Sequence, residues 1–241
     1  MKKAVLSLSG GMDSTCLLIH LLSKGFEVKA YSFDYGQRHR IEIECVKRNI
    51  EYLQSKKLPV SWAVIDLKSV FSESTSALLP QSGVMVPEGH YTDENMKKTV
   101  VENRNGIFAS CLYGKALAWA NQTKEDIKIC MGIHSGDHQI YPDCREESRN
   151  AFAFAFKISN WDSERVDYYT PYLSLDKFGI LVDTRHNCDS LSLSFTTVLK
   201  NTNTCYNPNS KGEACGKCGS CVERLEAFEK LKSTDPIVYL K

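Results

Sequence analysis

Over the first third of the chain, apolar and polar positions fall into short alternating blocks. Residues 4–8 are an apolar run that stops at Ser9-Gly10-Gly11, the pattern of a buried strand ahead of a turn. From Asp13 onward, Cys16, Leu17, Ile19, Leu21 and Leu22 form a helical stripe that Gly25 ends. Residues 28–33 predict a second strand, and residues 60–65 a third. Between them, residues 40–54 carry Ile41, Cys45, Val46, Ile50 and Leu53 on one helical face. Strand, helix, strand, helix, strand is the order of a parallel sheet covered by helices.

The pattern then fades. Residues 66–101 collect Ser, Thr, Gly and Pro, as in a long functional or mobile loop. Helix returns over 107–121, strand over 128–133, a loop dense in His and Asp over 132–145, and helix over 146–157. Residues 177–205 are poorly patterned, although Leu191 to Phe195 alternate like a strand. A last helix covers 222–231. Trp62, Trp119 and Trp161 are expected to pack. No internal repeat or low-complexity segment interrupts this order.

Composition narrows the classes. With 241 residues, 42% of them hydrophobic and 24% charged, the chain reads as an ordinary globular protein. A net charge of +1 gives no global basic field for nucleic acid. No apolar run reaches the roughly 20 residues that span a bilayer, and a cytoplasmic location is expected. In a reducing compartment, 10 cysteines are not a disulfide framework. Cys16, Cys45, Cys111, Cys130, Cys144 and Cys188 are scattered and read as small buried apolar groups. Cys205-x9-Cys215-x2-Cys218-x2-Cys221 has metal spacing, with Gly216 and Gly219 easing the turns. Four thiolates close a structural Zn²⁺ site; an iron–sulfur cluster is the competing occupant. The chain is thus expected to comprise an α/β domain over residues 1–200 and a metal-binding segment with a helix over 201–241.

Ser9-Gly10-Gly11-Met12-Asp13-Ser14 lies between the first strand and the first helix. Glycines let backbone approach a phosphate, and the helix start offers unpaired N–H groups. The Walker ending Gly-Lys-Ser/Thr is absent, and helix capping by Asp13 or Ser14 is the plain structural alternative. The segment resembles the PP-loop of the N-type ATP pyrophosphatases, which cleave ATP between the α and β phosphates and adenylate an oxygen. That resemblance implies a Rossmann-type, adenine nucleotide α-hydrolase-like fold. It also implies ATP held by Leu8, Ser9, Gly10, Gly11, Met12, Asp13 and Ser14, with Phe33 beside the adenine and Mg²⁺ accompanying the nucleotide.

More segments narrow the resemblance to the 7-cyano-7-deazaguanine synthases, the QueC family. They are residues 33–39 (Phe-Asp-Tyr-Gly-Gln-Arg-His), residues 102–105 (Glu-Asn-Arg-Asn), the stretch from Gly132 to Arg145, and the cysteine cluster with Glu223, Arg224, Ala227 and Phe228 after it. Membership implies conversion of 7-carboxy-7-deazaguanine, ammonia and ATP to the nitrile through two adenylations, with AMP and pyrophosphate released. ADP-type products belong to the case in which the PP-loop likeness misleads.

Several site residues follow from this likeness. Asp13, Arg104 and Lys177 are the catalytic candidates: Asp13 for the pyrophosphate end, Arg104 for the substrate carboxylate, Lys177 for charge at the adenylate. An exposed helix lysine is the alternative for Lys177. Arg104, Asn105, His134, Asp137, His138, Asp143 and Arg145 are the substrate-binding candidates, with Asp137 or Asp143 accepting from the guanine-like edge. Asp143 and Arg145 pairing with each other, or capping the next helix, is the competing account. The expected partners are ATP, the deazaguanine acid and ammonia; a homodimer is compatible with the chain.

Departures from the family pattern are Glu102 in place of Pro, Asn203 in place of Trp, Asp176 in place of Thr, and a longer stretch before Cys205. They motivate an alternative: a QueC-like ligase that passes the adenylated acid to an amine on a protein or other acceptor. A tRNA-modifying PP-loop enzyme and a non-catalytic nucleotide-binding module are weaker alternatives. Neutral charge speaks against the first, the intact loop against the second.

Overall fold

The computed structural model describes residues 1–90, 94–136 and 141–240. Five parallel strands form one sheet in the order β3-β2-β1-β4-β5. They are β1 (Lys2–Ser7), β2 (Phe26–Asp34), β3 (Val60–Asp66), β4 (Ile127–Cys130) and β5 (Val166–Tyr168). The helices are α1 (Met12–Ser23), α2 (Ile41–Ser55), α3 (Arg104–Thr123), α4 (Glu146–Ser159), α5 (Lys177–Ser190), α6 (Phe195–Lys200) and α7 (Gly219–Lys230).

Two apolar layers sandwich the sheet. On one face Leu17, Leu21, Val46, Ile50, Ile180, Val198 and Phe228 join α1, α2, α5, α6 and α7 into one core. On the other face, Phe108, Leu112, Ala116 and Trp119 of α3 pack against Val5, Ile127 and Ile129. Strand order reverses direction at β1, between β2 and β4, and there the carboxyl ends of the strands open a crevice. Such switch points are where open α/β sheets bind ligands.

The structure corrects three expectations. Leu191 to Phe195 is no strand: residues 191–194 turn between α5 and α6, and Phe195 opens α6. Ser192 takes a left-handed φ of 54°, and the Ser194 hydroxyl accepts from the Thr197 N–H at 3.2 Å to start α6. The strand-like alternation arises because Leu191 and Leu193 both anchor this turn on the core. Trp161 does not pack; it is 93% exposed just beyond α4. A third difference is the added strand β5, whose three residues are too few to show a period.

Candidate active site

The crevice is lined at one end by the loop after β1. Gly10 has φ of +98°, and a Cβ there would lie 2.1 Å from the Glu42 carbonyl oxygen, so only glycine fits. Gly11, not Asp13 or Ser14, occupies the N-cap position of α1, and no side chain caps this helix. The Ser9 and Ser14 hydroxyls bond each other at 2.9 Å, and Ser9 Oγ accepts from the Gly11 N–H at 3.2 Å. The loop is held from outside by a distant segment: the Asn203 N–H donates to the Gly10 carbonyl at 2.9 Å, and the Met12 N–H donates to Thr204 Oγ1 at 3.3 Å.

Ser9, Gly11, Asp13, Ser14 and Phe33 line the cleft, as do Arg104, Asn105 and Lys177. Leu8 and Met12 are sealed in the core, and Gly10 is packed beneath Glu42. Lys177 is not an exposed helix lysine. The Asp176 carboxylate accepts from the Gly179 N–H at 2.8 Å and so fixes the start of α5. The buried Lys177 ammonium then reaches Asp13 Oδ2 at 2.9 Å, His134 Nε2 at 2.9 Å and Glu223 Oε2 at 3.4 Å. Burial alone would raise the Asp13 pKa, but Lys177 and His134 outweigh it and hold the carboxyl below its usual 3.8. Asp13 Oδ1 is buried with no hydrogen-bond partner among the described residues. A carboxylate oxygen left unpaired beside a glycine loop at a helix start suits Mg²⁺, which takes one or two carboxylates together with phosphate oxygens.

Across the cleft, Asn103 adopts a left-handed φ of 49° and launches Arg104 at the start of α3. The guanidinium lies 3.5 Å from the Tyr35 hydroxyl, and its Nε donates to Asn105 Oδ1 at 3.3 Å. Phe33 and Phe108 stack at 4.0 Å between centroids and give the cleft a flat apolar wall.

The remaining substrate candidates separate. His134 sits behind Lys177, its Nδ1 accepting from the Gly136 N–H at 3.0 Å. Asp143 lines a small neighbouring cavity with Arg149 and Phe152, and Arg145 is an exposed residue at the N-cap position of α4. Asp137 and His138 lie outside the described residues.

The departures from the family pattern also find local explanations. Glu102 is turned to the 72–76 loop, where it accepts from Thr75 Oγ1 at 3.1 Å and Ser74 Oγ at 2.5 Å. Asn203 is 4% exposed and binds its own segment, Nδ2 to the Cys205 carbonyl at 3.1 Å. Neither lines the cleft, and neither does Asp176.

The sulfurs of Cys205, Cys215, Cys218 and Cys221 all lie within 4.8 Å of one another. Zn–S bonds of about 2.3 Å put tetrahedral sulfurs about 3.8 Å apart, so a slight contraction closes the site on one ion such as zinc. Amide groups of Asn207 and Cys215 donate to Cys205 Sγ at 3.3 and 3.2 Å, the outer-shell support thiolates require.

Sequence reasoning gave no role to Arg224. It is wholly buried, clamps Asp235 through Nε at 2.7 Å and Nη2 at 2.9 Å, and donates to Thr202, Thr204 and the Leu199 carbonyl. All five donors are used, which ties α7 to the segment that props the phosphate loop.

A parallel sheet with this crevice and loop defines a nucleotide-binding α/β protein of the PP-loop ATP pyrophosphatase type. The family model for "Queuosine biosynthesis protein QueC" matches residues 3–232. The chain is 44% identical over 238 residues to 7-cyano-7-deazaguanine synthase 1 of Colwellia psychrerythraea, covering 99% of both chains. It is 42% identical to the 7-cyano-7-deazaguanine synthase of Hahella chejuensis, covering 98% of this chain and 93% of that one. A solved 4-thiouridine synthetase–RNA complex with bound ATP aligns with a TM-score of 0.46 at 16% identity, over 96% of this chain and 51% of that one. The chain belongs to the QueC family.

Proposed function

We propose that the protein converts 7-carboxy-7-deazaguanine and ammonia to 7-cyano-7-deazaguanine, using ATP and releasing AMP and pyrophosphate. The observation that carries this reading is the convergence of the phosphate loop, the Lys177–Asp13 pair and Arg104 on one cleft, in a chain matched along its length by QueC.

A carboxylate is a poor electrophile, and transfer of an adenylyl group to one of its oxygens makes that oxygen a leaving group. Arg104 pairs with the carboxylate and turns it toward the α-phosphate. The Ser9 and Ser14 hydroxyls and the amides of the loop accept the pyrophosphate, and Lys177 balances the charge that accumulates there. Phe33 and Phe108 border the adenine. Mg²⁺, held through Asp13, supplies charge neutralisation to the phosphates when bound. Ammonia attacks the adenylated acid to give the amide, and the same site activates the amide oxygen before AMP leaves with formation of the nitrile. Zinc on the four cysteines leaves no open coordination position and serves the fold.

The test is mass spectrometry of products from ATP, the acid and ammonium. Nitrile with AMP is the expected outcome. ADP as the main nucleotide product would refute the phosphate-loop mechanism, and AMP without any free small product would point instead to a macromolecular acceptor.

A further inference from the structure

One wall of the cleft has no part in the roles above. Glu42, in the first turn of α2, and His39 just before it are 6% and 4% exposed, yet both face the cleft. Gln37 Nε2 donates to Glu42 Oε1 at 2.9 Å, and His39 Nε2 lies 3.8 Å from the same oxygen. His39 Nδ1 is buried with no hydrogen-bond partner among the described residues. The Tyr35 hydroxyl stands 3.4 Å from His39 Nε2, and the Tyr206 ring centroid is 5.5 Å from the imidazole. Two further titratable groups are near: Arg104 on α3, beyond Tyr35, and the Cys45 thiol one turn along α2. Burial raises the Glu42 carboxyl to about 8, with Gln37 and Arg104 opposing it. Burial, then Arg104, lowers His39 to about 3, so its ring is neutral.

Buried carboxylates are ordinarily matched by a cation; without one Glu42 rests mostly as the acid below about 8, and a cation bound beside it lowers that value and favours the carboxylate. Here the direct neighbours are a neutral amide and a neutral imidazole, at the edge of a cleft walled by phenol rings. What fits is a small cation rich in N–H donors, attracted both to a carboxylate and to aromatic faces. Resting on the function proposed above, we propose that Glu42, with His39 and the rings of Tyr35 and Tyr206, forms the site that receives ammonium and removes its proton for attack on the adenylated acid.

The step balances. One N–H proton passes to the Glu42 carboxylate, and the bonding pair stays on nitrogen as the lone pair of ammonia. That pair forms the C–N bond, the C–O bond to the phosphate breaks, and AMP departs with its electrons. The surplus proton on the new amide nitrogen then leaves to solvent through the open cleft. In the second half-reaction the adenylated amide loses two protons from the same nitrogen as AMP departs. Once Glu42 has passed its first proton to solvent through the open cleft, the regenerated carboxylate takes one of those two protons and solvent the other, so one base serves both halves.

Glu42→Gln preserves volume and the Gln37 contact but cannot take a proton. Three rates are measured: acid-dependent ATP–pyrophosphate exchange without amine, product formation with ammonium, and hydroxamate formation with hydroxylamine, which is uncharged at neutral pH. Exchange should persist, showing a folded, adenylating protein. The ammonium rate should fall by about 10²–10⁴, the scale of a lost general base, while the hydroxylamine rate matches wild type. The ammonium deficit should close as pH rises and solution ammonia replaces the bound source. Equal losses with both amines, loss of exchange, or an unchanged ammonium rate would each overturn the site. His39→Gln covers the case in which Glu42→Gln does not fold. It should raise KM for ammonium and leave KM for ATP unchanged, and equal effects on both constants would overturn the proposal. A wild-type protein without acid-dependent exchange would overturn the parent function and this site with it, whereas failure in the variants alone overturns only the site.

Discussion

Removing the Lys177 ammonium takes from Asp13 and Glu223 a cation they share. Its side chain is 6% exposed, that of Asp13 is 17% and that of Glu223 is 20%. Breaking one partner out of a buried pair costs about 3–5 kcal/mol, because a charge is left in a poorly hydrated place. For a chain of this length each kcal/mol moves the melting point by about 2–4 °C, so Lys177→Met should melt about 6–20 °C lower. Asp13 sets the pH dependence. Its folded pKa lies below 3.8 in the wild type, so the pair stabilises above that value and the contribution fades as pH falls through the folded pKa. Without Lys177, burial acts with less opposition and the carboxyl pKa rises. The stability deficit should therefore be largest near neutrality and shrink on acidification. Thermal melts across pH measure this directly. The double variant Asp13→Asn/Lys177→Met should regain part of the lost stability, because the buried charge is gone. It should regain none of the lost pyrophosphate exchange, which should stand about 10²–10³ below wild type. A single variant within about 2 °C of wild type at neutral pH, or a double variant no more stable than the single, would refute the reasoning.

Gly10→Ala should fold poorly or lose ATP binding in calorimetry, since its Cβ meets the Glu42 carbonyl and its φ of +98° disfavours a side chain. Cys218→Ser should lose about one zinc per chain in elemental analysis and become less soluble, with activity falling in step with the folded fraction. Glu42 carries a pKa raised from 4.5 to about 8, so the folded state binds a proton that the unfolded state has released, and wild-type stability should decline as pH rises between those values. Melts of Glu42→Gln should lack that decline, gaining on wild type from acid to mildly alkaline pH.

The alternating core was readable where elements are long enough to show their apolar spacing. The first three strands and α1 to α3 lie within a few residues of where apolar spacing puts them, because each carries enough apolar residues in register to show a period. The phosphate loop and cysteine cluster were readable for another reason: both depend on residues adjacent in sequence. Glu42 and His39 were not, since a glutamate at the start of a charged helix looks like a solvated one until β2 and the phosphate loop close over it. Asp143 shows the converse. Its place in a polar loop suggested substrate contact, and the three-residue turn from Pro142 sets it in a small cavity that shares Asn105, Met131 and Ile133 with the cleft. Arg224 follows Cys221 by three positions, and only the fold reveals that its partner is Asp235.

The bond from the Met12 N–H to the Thr204 hydroxyl joins positions 192 residues apart. Translation at 5–20 residues per second separates their synthesis by about 10–40 s. Throughout that interval the nucleotide loop has left the ribosome without the segment that props it, and Cys205, the next residue along, has yet to meet its fellow thiols. For that time a nascent chain holds the loop after β1 without the two hydrogen bonds that later brace it. The final shape of that loop is therefore a late product of synthesis, set only once residue 204 has been made.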